Sequence, residues 1–122
     1  MAIKLILTQI VKNESHVIER MLNSIKTIVD GICIVDTGST DNTIEVINKW
    51  GESNGVETYV FPRPFDNFEN SRNYAFEKSR EMFLSKKDGH TYYSFWLDAD
   101  ETIEIGSNFN KQKLDKDLYM FN

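Results

Sequence analysis

The sequence changes from apolar to acidic within one short segment, YYSFWLDADE, which spans residues 92–101. The aromatic and apolar run Tyr92–Leu97 is typical of a buried β-strand. Three carboxylates, Asp98, Asp100 and Glu101, follow it within four residues, so the strand would present hard oxygen ligands at its carboxyl end. In open α/β sheets, ligands bind at that edge. We therefore expect Asp98 and Asp100 to hold a divalent cation and the diphosphate of a nucleotide.

The composition is that of a globular protein with one domain. The chain has 122 residues, of which 40% are hydrophobic and 27% are charged, and this length is sufficient to bury a core. No apolar run approaches the roughly 20 residues that a transmembrane helix needs. Residues 1–7 are interpreted as the first strand and not as a signal peptide. The expectation is a soluble, cytoplasmic protein.

The charge balance bears on the class of partner. The net charge is −5, with 19 acidic and 14 basic residues, and this argues against a nucleic-acid partner, which would need a basic face. A nucleotide is still an acceptable ligand, because a bound metal ion can supply positive charge. The lone cysteine, Cys33, lies in an apolar segment and is predicted to fill the core. Trp50 and Trp96 are also predicted to lie in the core.

Strand-like and helix-like segments alternate along the chain. Strands are predicted at Ile3–Val11, Ile32–Val35, Val56–Phe61 and Tyr92–Leu97. Helices are predicted from Asn13 or Ser15 to Ile28, from Thr40 or Asp41 to Trp50, and from Phe68 or Asn70 to Leu84. This alternation favours right-handed crossovers, and it predicts an α/β domain over residues 1–122 with a mainly parallel sheet and helices on both faces.

The connecting segments carry turn chemistry. Gly51–Gly55 is interpreted as a polar break, and Pro62–Asp66 as a surface loop because its two prolines remove backbone donors. Phe61–Phe65 is interpreted either as a wall of the ligand cleft or as a plain loop. Lys86–Gly89 is predicted to be a solvated turn, and Leu118–Phe121 resembles the start of another strand.

A second predicted strand also ends in a carboxylate. Asp36 follows Ile32–Val35, and the carboxyl ends of parallel strands meet at one edge of a sheet. Asp36, Asp98 and Asp100 would repel one another there, and a divalent cation would remove that cost. Oxygen ligands favour Mg²⁺ or Mn²⁺. The alternative is that the acids after residue 97 only cap a helical turn. Asp41, by contrast, is assigned a structural capping role.

Four motifs together resemble the nucleotide-binding half of a family 2 glycosyltransferase with the GT-A fold, which is Rossmann-like. Their order and spacing match that family, and the resemblance covers essentially the whole chain. Each motif is weak alone, and none is specific for the sugar. The motifs are Lys12-Asn13-Glu14, Val35-Asp36-Thr37-Gly38-Ser39-Thr40-Asp41, Ser71-Arg72-Asn73 and Leu97-Asp98-Ala99-Asp100-Glu101.

The resemblance implies roles for the three aspartates. Asp36 matches the acid that contacts the nucleobase, most often uracil. Asp98 matches the first acid of the Asp-x-Asp motif, near the ribose, and is a second candidate metal ligand. Asp100 matches the acid that coordinates the metal ion, Mn²⁺ or Mg²⁺, on the diphosphate.

It also implies roles for residues elsewhere in the chain. Glu14 matches an acid near the nucleotide, and Thr8 and Gln9 lie where backbone atoms of the first strand touch the base. Arg72 matches an arginine that approaches the base or the diphosphate, and a guanidinium there could bind an anion bidentately. The alternative role of Arg72 is a salt bridge that holds its helix to Asp36 or Asp98.

The implied activity is transfer of a sugar from a nucleoside-diphosphate sugar, with UDP-sugar the leading donor, to a glycan, protein or lipid, with inversion. In the family, the general base is an acid well downstream of the Asp-x-Asp motif, whereas this sequence ends about twenty residues after it. No residue here is assigned as the catalytic base. A nucleotidyltransferase is a less favoured alternative, because residues 9–14 contain no glycine for a phosphate loop.

Three explanations of the missing base are open. The chain is a piece of a longer transferase, a short module that binds a sugar nucleotide without transferring it, or an enzyme that gains its acceptor site as a homo-oligomer. Leu118–Phe121 favours the first, since an unfinished strand would leave an unpaired edge.

Overall fold

A computed structural model describes residues 3–84 and 89–99. The predictions that concern Asp100, Glu101, the turn at 86–88 and the strand start at Leu118–Phe121 lie outside these residues.

Four strands form one parallel sheet. They are β1 (Ile3–Val11), β2 (Gly31–Asp36), β3 (Glu57–Pro62) and β4 (Thr91–Trp96). Their order in the sheet is β3-β2-β1-β4, and every neighbouring pair is parallel. The predicted α/β fold with a parallel sheet is confirmed. The wholly buried β2 lies inside the sheet, and the half-exposed β3 lies at its edge, as the apolar and alternating patterns of the two segments indicate.

Three helices cover the two faces of this sheet. They are α1 (Ile18–Ser24), α2 (Thr43–Asn54) and α3 (Phe68–Ser79), and a π-helical turn, Arg80–Leu84, continues α3. One core cluster joins β1 and β2 to α1 and α2, and includes Leu7, Met21 and Ile47. A second cluster, Ile6, Cys33 and Phe83, lies on the opposite face below the end of α3. Adjacent strand residues thus point to opposite faces. In the described part of the chain, no helix is long and apolar enough to cross a membrane.

Several predicted element boundaries are wrong. The first helix begins at Ile18, and Asn13 and Ser15 do not cap it. It ends at Ser24, although the apolar pattern continues through buried residues to Val29. The second helix is capped at Asn42, one residue beyond the predicted candidates, and Asp41 still accepts a hydrogen bond from the Thr43 N–H at 3.0 Å.

The predicted break at Gly51–Gly55 is also wrong in its first part. Helix α2 continues through Gly51 to Asn54, and Gly55 ends it in a left-handed conformation with φ 65°. A Cβ on Gly51 would lie 2.1 Å from the Thr58 Oγ1 atom of β3. Gly51 therefore permits close packing of helix on strand and does not end the helix. Pro62, predicted to lie in a loop, is the last residue of the edge strand β3, where proline is tolerated.

Asn13 joins the loop after β1 to the loop after β2. Its backbone has φ 53°, and its Oδ1 atom accepts hydrogen bonds from the Thr40 N–H at 2.7 Å and the Asp41 N–H at 3.2 Å. The Asn13 N–H donates to Ser39 Oγ at 2.9 Å. Ser15 Oγ donates to Asp41 at 2.7 Å. The two loops therefore form one hydrogen-bonded unit at the carboxyl edge of the sheet.

These bonds also act on the ionisation of Asp41. The hydrogen bond from the Thr43 hydroxyl, together with bonds from Ser15 and the backbone, outweighs the opposing desolvation and lowers the pKa of Asp41 to about 2. The carboxylate consequently stays ionised, and keeps its bonds, well below neutral pH.

We predict that replacing Asn13 destabilises the fold in two separable ways. Asn13→Ala loses the side-chain bonds and places a Cβ-bearing residue of low left-handed propensity at positive φ, so it should cost about 2–3 kcal/mol. Asn13→Gly loses the same bonds without the backbone strain and should cost about 1 kcal/mol less. Urea unfolding of the three proteins measures this difference. Equal losses for the two variants would contradict the left-handed conformation of residue 13.

Cys33 lies in the core, as predicted. It is fully buried in β2, and this burial raises the pKa of its thiol from 9.0 to about 12. The thiol is thus protonated at physiological pH, and a buried thiol that stays protonated is chemically inert.

We predict that Cys33 does not react with a thiol reagent at pH 8.5 in the native chain, and that one thiol per chain reacts after unfolding in guanidinium chloride. Because the folded pKa is raised, the stability linked to Cys33 is complete below pH 9.0, the ordinary pKa of the thiol, and falls as the pH rises from there towards about 12. Cys33→Ala should lack this alkaline decline. Rapid reaction of the native thiol would contradict its burial.

Candidate functional site

Two cavities with three lining residues in common lie at the carboxyl edge of the sheet, and we call the two together the cleft. Their volumes are about 320 Å³ and about 360 Å³, and both are lined by Lys12, Thr37 and Phe65. We call the first the Asp98 cavity and the second the Asp36 cavity. The first is also lined by Ile10, Val11, Glu14, Phe68, Asp98 and Ala99, and the second by Asp36, Gly38, Pro62, Arg63 and Pro64. Three of the predicted site residues, from separate parts of the sequence, therefore line one cleft.

Asp36 is fixed by the loop that follows it. It is only 3% exposed, and its Oδ2 atom accepts hydrogen bonds from the Gly38 N–H at 3.0 Å and the Ser39 N–H at 2.8 Å. The Ser39 hydroxyl donates to Oδ1, and the Asp36 carbonyl accepts from the Arg63 N–H at 2.8 Å. The carboxylate is thus held at the floor of its cavity, and a ligand would find it already oriented.

Asp98 is more accessible. It lies two residues after β4 and is exposed, and its Oδ1 atom accepts a hydrogen bond from Trp96 Nε1–H at 3.1 Å. The half-buried Glu14 lines the same cavity. Two carboxyl side chains therefore offer hard oxygen atoms to one space, a donor type that suits Mg²⁺ or Mn²⁺.

A complete metal-binding cluster is not formed by the described residues alone. Within 3–84 and 89–99, no group of three or more His, Cys, Asp or Glu side chains could hold a metal ion, and Asp100 lies outside these ranges. Since Mg²⁺ is commonly held by one or two carboxylates together with substrate phosphates, Asp98 and a neighbouring acid are chemically suited to this task.

Arg72 is an exposed cation in contact with two aromatic rings. Its guanidinium carbon lies 5.4 Å from the ring centroid of Phe76 and 5.7 Å from that of Trp96. It forms no ion pair with any acid in the described part of the chain, so the alternative of a salt bridge to Asp36 or Asp98 is wrong for this structure. The N–H groups of Arg72 are consequently not consumed by a carboxylate there.

Thr8 and Gln9 do not reach the cleft. Both are fully buried, because β1 continues past them to Val11. Thr8 Oγ1 donates to Ser79 Oγ of α3 at 3.0 Å, and Gln9 Nε2 donates to the carbonyl of Leu97. Neither residue lines the cavities of the cleft, and the expectation that backbone atoms of this strand touch the base stays a prediction. Gln9 instead fixes the backbone directly before Asp98.

The structure adds residues that the sequence did not assign. Lys12 lies in both cavities and is exposed, and its position directly after β1 was the available signal. Phe65 and Phe68 line the Asp98 cavity and are each 55% exposed. Pro62–Phe65 lines the Asp36 cavity, so this segment is a wall of the cleft and not a plain loop.

Arg63 contrasts with Arg72. Its guanidinium contacts Asp66 at 2.9 Å and also lies 5.1 Å from the centroid of the Tyr74 ring. Hydrogen bonds from Arg63, Asn70 and the Asn67 N–H hold the pKa of Asp66 well below its usual range. Arg63 is therefore already paired, and Arg72 is the more suitable arginine for an anionic ligand.

Comparisons with known proteins identify the family of this chain. The sequence matches the family model for glycosyl transferase family 2 over residues 10–108. It is 32% identical over 112 residues to an uncharacterized glycosyltransferase of Rickettsia bellii, an alignment that covers 92% of this chain and 31% of that protein. It is 45% identical over 42 residues to an uncharacterized glycosyltransferase of Rickettsia conorii, covering 34% of this chain and 15% of that protein.

The chain thus spans about a third of the length of the Rickettsia bellii relative. No solved structure gives a significant match. The family match includes the strand ends that carry Asp36 and Asp98 and the helix that carries Arg72. By this match over most of its length, the chain belongs to glycosyl transferase family 2.

Proposed function

We propose that this chain is the donor-binding part of a glycosyltransferase and binds a nucleoside-diphosphate sugar, with UDP-sugar as the leading candidate, in the cleft at the carboxyl edge of the sheet. One observation carries the proposal. Glu14, Asp36 and Asp98 come from three distant parts of the sequence and line two cavities that share Lys12, Thr37 and Phe65, at the edge where α/β sheets bind their ligands.

The two cavities suit the two ends of such a donor. The buried Asp36, with its fixed carboxylate, lies in the cavity walled by Pro62–Phe65, and a carboxylate oxygen there can accept a hydrogen bond from the N–H of a uracil base. Lys12 lies in both cavities, so its ammonium group can follow the diphosphate from one to the other. Arg72, which like Asp98 contacts Trp96, would bind a phosphate through its planar donors.

A divalent cation is part of the proposal. Asp98 and Asp100 would hold Mn²⁺ or Mg²⁺, which lets an acidic cavity accept an anionic diphosphate. When bound, the ion would stabilise the charge that develops on the departing nucleoside diphosphate. The protein's own contribution is to hold Asp98 at the cavity through Trp96 and through the Gln9 bond to Leu97.

Transfer to an acceptor is proposed for the whole protein. Inverting transfer needs a general base that deprotonates the acceptor hydroxyl, and none of the cleft residues is assigned that role. The acceptor, a glycan, protein or lipid, and its base would be supplied beyond this cleft. The donor site can nevertheless be tested on the chain itself.

We predict that UDP binds the 122-residue chain with Mn²⁺ and binds much more weakly without it, and that Asp98→Asn weakens the Mn²⁺-dependent binding at least about tenfold. Asp41→Asn is the matched control. It removes one exposed carboxylate from the neighbouring loop and changes the net charge by the same amount, but Asp41 does not line the cleft. The dissociation constant of Asp41→Asn for UDP should therefore stay within about twofold of the wild-type value. Calorimetric titration measures both.

Parallel titrations with GDP and UDP-glucose show which nucleobase is preferred and how much the sugar adds to the affinity. Failure of UDP, GDP and UDP-glucose to bind, or binding that ignores both Mn²⁺ and Asp98→Asn, would contradict the proposed function. Release of glucose from UDP-glucose would show chemistry on the donor, whereas binding without release would identify the chain as a binding module.

A further inference from the structure

We infer that Trp96 is a positioning residue of the donor site, which contacts both an anion, Asp98, and a cation, Arg72, that do not pair with each other. This inference rests on the proposed function. It concerns a side chain that the sequence pattern places in the core and that the structure shows to be only half-buried.

The Trp96 ring is fixed by neighbours on helix α3. Trp96 is the last residue of β4, and its side chain points towards α3, whereas Phe95 and Leu97 belong to the core on the opposite face. Its ring centroid lies 5.6 Å from that of Phe76, at an interplanar angle of 33°, and 6.1 Å from that of Phe68 in an edge contact. Aromatic contacts of this kind hold a ring in one orientation.

The indole group then makes two polar contacts in different directions. Its Nε1–H, at the ring edge, donates to Asp98 Oδ1 at 3.1 Å, while the Arg72 guanidinium lies over the ring face, 5.7 Å from its centroid. One rigid side chain therefore contacts both charged groups.

This arrangement is useful for a metal–diphosphate ligand. A cation–π contact leaves the guanidinium N–H donors without the hydrogen bonds that a carboxylate would form with them. The bond to Nε1–H sets the orientation of the Asp98 carboxylate. Because the arginine forms no ion pair within the described residues, a phosphate could bind it without first breaking a salt bridge, and the carboxylate would be preorganised for a cation.

The test compares two equivalent tryptophan substitutions. Trp96→Phe keeps an aromatic ring for Arg72 and removes the N–H, so it should weaken Mn²⁺-dependent UDP binding about 3- to 10-fold. Trp96→Leu removes both contacts and should weaken it further. Trp50→Phe is the matched control: the chain has two tryptophans, and Trp50 Nε1–H also donates one bond, to Asn23 Oδ1 at 2.8 Å, on the opposite face of the sheet. The affinity of Trp50→Phe for UDP with Mn²⁺ should equal that of the wild type.

Thermal unfolding of the same proteins separates positioning from stability. A merely structural Trp96 would lower the melting temperature as Trp50→Phe does and leave affinity unchanged, and that result would overturn the inference. A double-mutant cycle of Trp96→Phe with Asp98→Asn should be non-additive in affinity, because both changes disturb the same contact. Additive effects would also overturn it.

A ligand-free readout distinguishes failure of this inference from failure of the proposed function. In ¹⁵N-labelled protein, the Nε1–H signal of Trp96 should shift and exchange faster with water in Asp98→Ala, while that of Trp50 should not change. If the Trp96 Nε1–H signal does not change in Asp98→Ala, the inference is overturned whether or not UDP binds. If the signal responds but the wild type binds no nucleotide, the proposed function fails, and the positioning role is overturned with it.

Discussion

The parallel pairing of β1 with both of its neighbours is the constraint on which the site depends. β2 pairs with β1 in a register that sets Asp36 opposite Val11, whereas β4 ends earlier, with Trp96 opposite Thr8. Residues 97–99 therefore continue alongside the last part of β1 after the β4 ladder has ended. This stagger places Asp98 beside Ile10 and Val11 in the cleft. A shift of β4 by one residue against β1 would turn each of its side chains to the opposite face of the sheet.

Polar side chains at this edge divide into those that fix the backbone and those that are left for a ligand. Asn13, Gln9 and most of the bonding capacity of Asp36 are used to hold loops together. Lys12 and Arg72 are exposed and enter no ion pair in the described part of the chain. The first group makes the cleft rigid, and the second supplies positive charge to a chain whose net charge is −5. This division suits an anionic ligand that arrives with its own cation.

The alternation of apolar segments was sufficient to predict four parallel strands and helices on both faces, because those patterns depend on burial alone. Helix ends were harder to predict. Asn13 has the composition of an N-cap, yet its side chain bonds to a loop 27 residues away, and local propensity contains no information on such a partner. Gly51 likewise appeared to be a helix breaker. The closeness of Thr58 leaves no room for a Cβ at residue 51, and this explains why a glycine lies within the helix.

Similar reasons explain which site residues could be predicted. Glu14, Asp36 and Asp98 follow strand ends, so topology alone brings them to one edge. Thr8 and Gln9 were assigned by resemblance, and the extra length of β1 buries them. Arg72 forms no ion pair within the described residues, and one of its two aromatic contacts, Trp96, becomes a neighbour only when α3 packs on the sheet.

The central claim is that a metal-bound nucleoside diphosphate occupies the cleft at the carboxyl edge of the sheet. Paramagnetic broadening of backbone amide signals by Mn²⁺ in the presence of UDP tests it most directly, because the effect falls steeply with distance from the ion. The account predicts selective broadening at Asp98, Ala99 and the 12–14 loop, with the signals of the groove between α1 and α2, around Lys26 and Lys49, unaffected. Broadening centred on that groove, or none that depends on UDP, would contradict the account.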